Sequence, residues 1–148
     1  MTQTDPSLPV VAAIVVTFNR LAQVQKTVAR LLAEPLDHIV LIDNGSTDGT
    51  RPWLAELCDP RVAVIEMSHN GGGALGFETG MREARARFDP DWFVLMDDDA
   101  RPVAGVITRF RQSLSSDRWR DVEALAAAVR FPDGLICEMN RPWVNPFA

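Results

Sequence analysis

The chain of 148 residues contains little lysine, little cysteine and no long apolar run. Lys26 is the single lysine among 15 basic residues, and the arginines are spread along the chain without forming a basic block. Because nucleic-acid binding relies on clustered positive charge to neutralise phosphates, this distribution argues against a nucleic-acid partner. The longest apolar run, residues 10–16, is far shorter than the ~20 residues of a bilayer-spanning helix. We therefore expect no integral membrane segment.

The two cysteines and the start of the chain carry no targeting or redox signal. Cys58 and Cys137 lie far apart and outside any metal-binding or redox spacing, so we predict two reduced thiols. Residues 1–9 lack the charged start and apolar stretch of a signal peptide, and we predict a flexible N-terminus there. We expect a cytoplasmic protein, and peripheral association with the inner face of the membrane stays open.

Apolar runs alternate with helical periodicity along the chain. Residues 10–16 are rich in β-branched side chains without polar alternation, which is typical of a strand buried on both faces. The other apolar runs predict strands at residues 38–42, 61–67 and 92–96. A helix is predicted after each strand, and this order predicts an α/β fold with a mostly parallel sheet flanked by helices.

Local signals place the helix ends. Asn19 is predicted to cap the first helix, and Pro52 is predicted at the first position of a short second helix. The third helix is expected from about Ala74 to Phe88, and Val103 is expected on the apolar face of the fourth. Residues 122–131 fit a helix or a strand equally well, residues 132–134 predict a turn, and residues 135–139 a final strand.

The four predicted strands each end in a polar or glycine-rich segment, namely residues 17–20, 43–46, 69–73 and 97–99. Ligands of open α/β sheets bind outside the carboxyl ends of the strands. We therefore expect any functional site to be built from these four segments.

Three adjacent carboxylates, Asp97, Asp98 and Asp99, follow the fourth strand. Such a cluster is costly unless a cation or a proton compensates it. Alternate side chains of an extended segment point the same way, so we expect Asp97 and Asp99 to face one site and Asp98 to turn aside. Oxygen ligands favour Mg²⁺ or Mn²⁺ over zinc. The alternative is a solvated loop whose acids favour the positive end of the next helix.

The other strand ends allow ligand contacts that ordinary turn chemistry or core packing also explains. Residues 71–73, three glycines before a helix, can present backbone amides to a phosphate, although no Walker motif is present. The alternative is a flexible turn there, with Gly76 and Gly80 allowing close packing of the helix on the sheet. Phe18 can stack on a base, and Asp43 and Asn44 can bond a base or ribose. The sequence shows no Ser-His-Asp or Cys-His arrangement.

Together these segments resemble the nucleotide-sugar-binding half of family 2 glycosyltransferases, which have the GT-A fold. The resemblance extends from residue 10 to about residue 111, and residues 97–99 match the DXD motif of such enzymes. The segment of residues 69–73, which we call the glycine loop, together with Phe77 and the triple aspartate, is similar to the galactofuranosyl- and rhamnosyltransferase branch. The resemblance implies a role in cell-wall or polysaccharide biosynthesis.

The resemblance also implies site residues. A UDP- or dTDP-sugar would be bound by Thr17, Phe18, Asn19, Arg20, Asp43, Asn44, Ser46, Asn70, Gly71, Gly72, Asp97 and Asp98. Asp97 and Asp99 would hold Mg²⁺ or Mn²⁺ against the diphosphate, which lets an acidic chain of net charge −5 bind an anionic donor. The sugar would pass to a glycan or lipid-linked acceptor.

The end of the chain departs from the family pattern. We expect the nucleotide-sugar-binding domain at residues 10–131 and only the start of a truncated acceptor-binding region at residues 132–148. No catalytic general base is identified, so whether the chain is an enzyme stays open. The alternatives are a non-catalytic nucleotide-binding module that needs a partner chain, and a nucleotidyltransferase.

Overall fold

The computed structural model describes residues 8–114, 119 and 121–137. The chain divides into two compact units, residues 1–113 and 114–148, and each is described by itself. Strands and helices alternate as the sequence predicts: β1 (Val11–Thr17), α1 (Leu21–Leu32), β2 (His38–Asp43), α2 (Thr50–Ala55), β3 (Val62–Glu66), α3 (Gly72–Phe88), β4 (Trp92–Asp97) and α4 (Val106–Leu114).

The strands form a sheet in the order β3-β2-β1-β4. Each neighbouring pair is parallel, which confirms the predicted α/β architecture. Every residue of the central strand β1 is buried, because an unbroken apolar run suits a strand covered on both faces. Since the strands are parallel, their carboxyl ends lie at one edge, which we call the carboxyl edge.

Helices cover both faces of this sheet. Val11, Ala13 and Val15 of β1 pack in one apolar cluster with residues of α1, α2 and α4. The alternate residues Ile14 and Val16 pack in a second cluster on the other face, which α3 covers. The period-two alternation of a strand thus supplies both cores from one apolar run.

Helix α3 packs closely on β1 because its inner face is made of small residues. Gly76, Gly80 and Ala84 are buried and spaced four residues apart. A Cβ atom added to Gly76 would lie 2.7 Å from Cγ1 of Val16, and one added to Gly80 would collide with Cγ2 of Ile14. The close packing that we predict for these two glycines is confirmed.

Some element boundaries differ from the predictions. Helix α2 begins at Thr50, so Pro52 is its third residue, and α3 begins at Gly72 rather than Ala74. Val103 precedes α4 and is 66% exposed, so it is not part of the apolar face of that helix. Sequence periodicity alone misses these ends because loop contacts decide where the helices begin.

Within the second unit, the described residues contain neither the helix nor the strand that residues 122–131 allow. Most residues from 121 to 136 are exposed, so no apolar face is buried to stabilise a longer element. The predicted turn at residues 132–134 is confirmed, since Gly134 N donates to Phe131 O at 2.9 Å. One antiparallel bridge, between Arg130 and Ile136, flanks it. The rest of the predicted strand, residues 138 and 139, lies outside the described residues.

A side chain from the end of α1 caps the start of α4. The carboxylate of Glu34, in a residue only 3% exposed, accepts hydrogen bonds from Gly105 N at 2.9 Å and Ile107 N at 3.2 Å. Arg30 forms an ion pair with it at 2.5 Å. Burial acts to raise the pKa of Glu34, but the two backbone donors and Arg30 together hold it below the ordinary value of 4.5.

This cap predicts a specific acid sensitivity. Because the folded-state pKa of Glu34 is lowered, its stabilisation is complete above about pH 4.5 and is lost as the pH falls through the folded-state pKa. We expect Glu34→Gln to lower the free energy of unfolding at neutral pH by about 1–3 kcal/mol and to reduce its loss on acidification. Urea unfolding at about pH 7 and pH 3.5 measures both quantities.

Glu78→Gln is the matched control, because Glu78 also pairs with an arginine four residues away but is exposed. We expect its unfolding to follow the wild type at both pH values. An equal pH dependence in Glu34→Gln and the wild type would contradict the prediction.

Candidate functional site

The four predicted segments do meet at the carboxyl edge. The loops that follow β1, β2, β3 and β4 are joined by hydrogen bonds between side chains and backbone. The predicted site residues separate into an exposed group and a buried group. The exposed group is Phe18, Asn19, Arg20, Asn70, Gly71, Gly72, Asp97 and Asp99, and the buried group is Thr17, Asp43, Asn44, Ser46 and Asp98.

The acidic segment after β4 is held by residues at the end of β1. Asp98 is 4% exposed, and its Oδ2 accepts a hydrogen bond from the Thr17 hydroxyl at 2.7 Å. Arg20 Nη1 lies 3.3 Å from Asp98 Oδ1 and 2.7 Å from Asp99 Oδ2. Asp98 thus turns into the protein as expected, but it shares one guanidinium with Asp99.

Arg20 remains a cation in this arrangement. Its hydrogen bond to Asp99, followed by the charges of Asp98 and Asp99, raises the pKa of Arg20 above its ordinary value. The side chain is 53% exposed, so solvent screens the pair and the guanidinium can reach outward from the edge. Arg20 is therefore the positive charge that offsets the acidic segment.

The carboxylates provide part of a metal site. Asp97 is exposed, and its carboxylate has no partner within the described part of the chain. Those same residues contain no group of three or more histidine, cysteine or acidic side chains arranged to hold a metal ion. Mg²⁺ is commonly bound by one or two carboxylates together with substrate phosphates and water. The carboxylates of Asp97 and Asp99 are oxygen ligands of the type that such a cation takes.

Asn19 joins the loop after β1, which we call the first loop, to the loop after β2, the second loop, and does not cap α1. Its φ of 53° is in the left-handed region, which asparagine tolerates better than most residues. Its Oδ1 accepts hydrogen bonds from Thr47 N at 2.7 Å and Asp48 N at 3.3 Å, while its own N–H donates to Ser46 Oγ at 3.0 Å. The predicted cap is wrong, because the side chain is used by the neighbouring loop and Arg20 takes the N-cap position.

Asn44 joins the second loop to the glycine loop. Its Nδ2 donates to Asn70 Oδ1 at 3.0 Å and to Gly72 O at 3.2 Å. Its Oδ1 accepts a hydrogen bond from Gly71 N at 3.0 Å. The residue is 3% exposed and its amide is satisfied from both ends, so Asn44 fixes the shape of the glycine loop from beneath.

Gly45 lies where the same two loops touch. Its φ is +83°, and a Cβ atom there would lie 2.7 Å from the carbonyl carbon of His69 and 2.9 Å from Asn70 N. Both are backbone atoms that cannot rotate away. Only glycine fits this position.

Asp43 is fully buried at the end of β2. Its Oδ1 accepts a hydrogen bond from Ser46 N at 3.0 Å, and its Oδ2 accepts one from Arg51 Nε at 2.6 Å. Arg51 Nη2 also donates to Met67 O at 2.9 Å. Hydrogen bonding to Asp43 is the main cause of the raised pKa of Arg51. The sequence offered no signal for Arg51, because its role depends on where α2 brings it.

Comparison with known proteins decides the family. The sequence model of glycosyl transferase family 2 matches residues 12–126, which is most of the chain. The chain belongs to glycosyl transferase family 2. The predicted family is thereby confirmed, whereas the galactofuranosyl- and rhamnosyltransferase branch stays a prediction.

Curated relatives of this family 2 chain are longer proteins. It is 30% identical over 84 residues to the putative teichuronic acid biosynthesis glycosyltransferase TuaG of Bacillus subtilis (strain 168), covering 54% of this chain and 33% of TuaG. It is 28% identical over 94 residues to the succinoglycan biosynthesis protein ExoO of Rhizobium meliloti (strain 1021), covering 62% of this chain and 26% of ExoO. The matched regions thus span about a third or less of these relatives.

Solved structures agree on the fold. The mannosyltransferase PcManGT of Pyrobaculum calidifontis, in complex with GDP-Man and Mn²⁺, matches with a TM-score of 0.63 and 22% identity, over 86% of this chain and 37% of that one. TarS of S. aureus in complex with UDP-GlcNAc matches with a TM-score of 0.62 and 17% identity, over 72% of this chain and 31% of that one. The family 2 chain therefore has the GT-A fold. Among its described residues, no helix has the length and apolar character of a membrane span.

Proposed function

We propose that this family 2 chain provides the nucleotide-sugar-binding site of an inverting glycosyltransferase that depends on a divalent cation. The observation that carries the proposal is the exposed group at the carboxyl edge. It places the carboxylates of Asp97 and Asp99, the Arg20 guanidinium and the start of α3 around the ends of parallel strands. The complexes of PcManGT with GDP-Man and Mn²⁺ and of TarS with UDP-GlcNAc support this class of ligand.

We propose that the donor is a UDP- or dTDP-sugar and that the acceptor is a glycan or a lipid-linked saccharide. The names of the two curated relatives, which refer to teichuronic acid and succinoglycan biosynthesis, support a role in polysaccharide or cell-wall formation. The glycine loop with Phe77 and the triple aspartate favour a galactofuranosyl- or rhamnosyltransferase.

The exposed residues have direct roles in this proposal. Phe18, which is 39% exposed, offers a ring face to the base. At the start of α3, a helix of 17 residues, Gly72 N donates to Asn70 Oδ1 at 2.8 Å. The next N–H groups of this first turn point toward the edge and favour phosphate oxygens. The buried group shapes the loops from below and does not touch the ligand; it includes Thr17, Asn44 and Asp98.

We propose Mg²⁺ or Mn²⁺ as the cation, with Asp97 and Asp99 as its protein ligands. When bound, such an ion supplies Lewis-acid stabilisation of the charge on the departing nucleoside diphosphate. Arg20 holds Asp99 in place and keeps a positive charge next to the same carboxylate.

We also propose that residues 10–131 form the donor-binding domain and that an acceptor-binding region begins at residue 132. The general base of an inverting reaction must reach the acceptor hydroxyl. We assign no such base to the described residues.

Binding of nucleoside diphosphates tests the proposed function. We expect the full chain to bind UDP or dTDP in the presence of Mn²⁺ and to lose most of this affinity when the ion is omitted, because two carboxylates cannot otherwise face a diphosphate. Titration calorimetry with UDP, dTDP and GDP, each with and without Mn²⁺, measures this and ranks the bases.

UMP with Mn²⁺ is the matched ligand control. It keeps the base and ribose but lacks the second phosphate. We therefore expect UMP to bind at least about tenfold more weakly than UDP. If none of the three diphosphates binds in the presence of Mn²⁺, the proposed function is overturned.

A further inference from the structure

A polar stripe runs along helix α1 and the residues that flank it. Its members recur every three or four positions and so share one helix face: Arg20, Gln23, Thr27, Arg30 and Glu34. The buried apolar residues of α1, such as Val24 and Val28, belong instead to the core cluster against the sheet. We call the first set the α1 polar stripe.

The stripe contacts the segment between β4 and α4, residues 98–105, in order along both chains. At the first end, Arg20 bonds Asp98 and Asp99, as described above. One turn further, the Gln23 side-chain oxygen accepts a hydrogen bond from Arg101 Nη2 at 2.5 Å.

The middle and the far end of the stripe bind the backbone of the same segment. The Thr27 hydroxyl donates to Asp98 O at 2.5 Å and lies 3.5 Å from Ala100 O. Arg30 Nε donates to Pro102 O at 2.9 Å. The Glu34 carboxylate then accepts the hydrogen bonds of the N–H groups at the start of α4.

Residues 98–105 need this support from outside. Its local backbone bonds are few and join it to the adjoining elements, such as those of Ala100 N to Asp97 O of β4 and of Val106 N of α4 to Val103 O, each at 3.2 Å. It also begins with adjacent carboxylates, which repel one another and favour an open loop. Contacts from α1, together with the hydrogen bond of the Thr17 hydroxyl to Asp98, therefore place Asp98 and Asp99 against Arg20.

We propose that Thr27 is a positioning residue for the donor and cation site, acting through the backbone of Asp98 and Ala100. This inference rests on the proposed function. Thr27 has no exposed surface, so its hydroxyl cannot touch a ligand, and its effect must pass through the acidic segment. Glu34 anchors the other end of that segment and limits where α4 begins.

If Thr27 only stabilised the fold, its replacement would lower stability without changing nucleotide binding at the site. Three variants distinguish this case from a positioning role. Thr27→Val has nearly the same shape but lacks the hydroxyl, whereas Thr27→Ser keeps the hydroxyl and loses a methyl group. Val28→Ala is the matched control, because Val28 is equally buried on the same helix but packs in the core. It lowers stability without removing a bond to residues 98–105.

Two measurements are made on the full chain. Amide hydrogen exchange of the ligand-free protein reports how firmly residues 98–105 are held. Calorimetry with Mn²⁺ and UDP, and with Mn²⁺ and GDP, measures the nucleotide affinity of the site. We expect Thr27→Val to speed exchange in this segment and to weaken nucleotide binding by about tenfold or more, as loss of outer-shell support does at metal sites. Thr27→Ser should restore both, and Val28→Ala should change neither.

Each outcome bears on the proposal. Unchanged exchange at residues 98–105 in Thr27→Val overturns it, and so does faster exchange with unchanged nucleotide affinity. Equal effects of Thr27→Val and Val28→Ala on affinity also overturn it, because stability alone would then explain them. A wild type that binds no nucleotide defeats the proposed function, whereas the exchange comparison still tells whether Thr27 holds the segment.

Discussion

Gly45→Ala is expected to lower the free energy of unfolding by about 2–5 kcal/mol. A residue with a side chain is strained at a φ of +83°, which costs about 1–2 kcal/mol. The added Cβ atom also meets the backbone of His69 and Asn70 at less than 3.0 Å, and such overpacking costs about 1–3 kcal/mol more. Relief requires the second loop and the glycine loop to separate. Nucleotide binding should therefore weaken along with stability.

Gly73→Ala is the matched control for this prediction. A Cβ atom at Gly73 meets no atom within 4 Å, and the residue lies in the first turn of α3. Alanine there should leave stability unchanged or raise it by up to about 1 kcal/mol. Urea unfolding of both variants measures the difference. Equal midpoints for Gly45→Ala and the wild type would show that the two loops are not tightly joined.

The double variant Asp97→Asn, Asp99→Asn is expected to lose about a hundredfold or more of its affinity for UDP in the presence of Mn²⁺. The amides keep the shape of the side chains but remove the two negative charges that would hold the cation. Stability should change little, because the Asp99–Arg20 pair is about half-exposed and such pairs contribute about 0–1 kcal/mol. Calorimetry and thermal unfolding of the same samples separate the two effects.

Asp89→Asn is the matched control for charge. Asp89 is exposed and bonded to an arginine, Arg85, at 3.0 Å, but it lies at the C-cap of α3, at the opposite edge of the sheet. We expect its nucleotide affinity to equal that of the wild type. If the double variant binds Mn²⁺ and UDP as tightly as Asp89→Asn does, Asp97 and Asp99 are not the cation ligands.

The fold could be predicted from the sequence because its strongest signals are local. The unbroken apolar run of β1 indicated a strand buried on both faces, and the regular order of strands and helices indicated a parallel sheet. Polar residues at the strand ends then indicated the carboxyl edge. Gly76 and Gly80 were also predictable as packing positions, since they share one face of a periodic helix.

The internal organisation of the site could not be predicted, because it depends on contacts between distant segments. Asn19 matched a helix cap, yet its amide is used by Thr47 and Asp48. A sequence does not show that Asn44 points beneath the glycine loop or that Thr27 reaches the acidic segment. Residues 122–131 stayed ambiguous because both of their possible patterns require a buried face that their surroundings do not supply.

The small inner face of α3 has a consequence for how this chain tolerates sequence change. No side chain of Gly76 or Gly80 separates the helix from Val16 and Ile14. The distance between the helix and the sheet therefore sets where the first turn of the helix lies at the carboxyl edge. Gly76 and Gly80 lie four and eight residues after Gly72, the first residue of the helix, which is about 6 and 12 Å along the axis. A larger side chain at either position would push the middle of the helix away from the sheet and tilt the glycine loop. Gly76 and Gly80, which pack on the sheet, therefore set the position of the glycine loop whose backbone we propose to meet the donor.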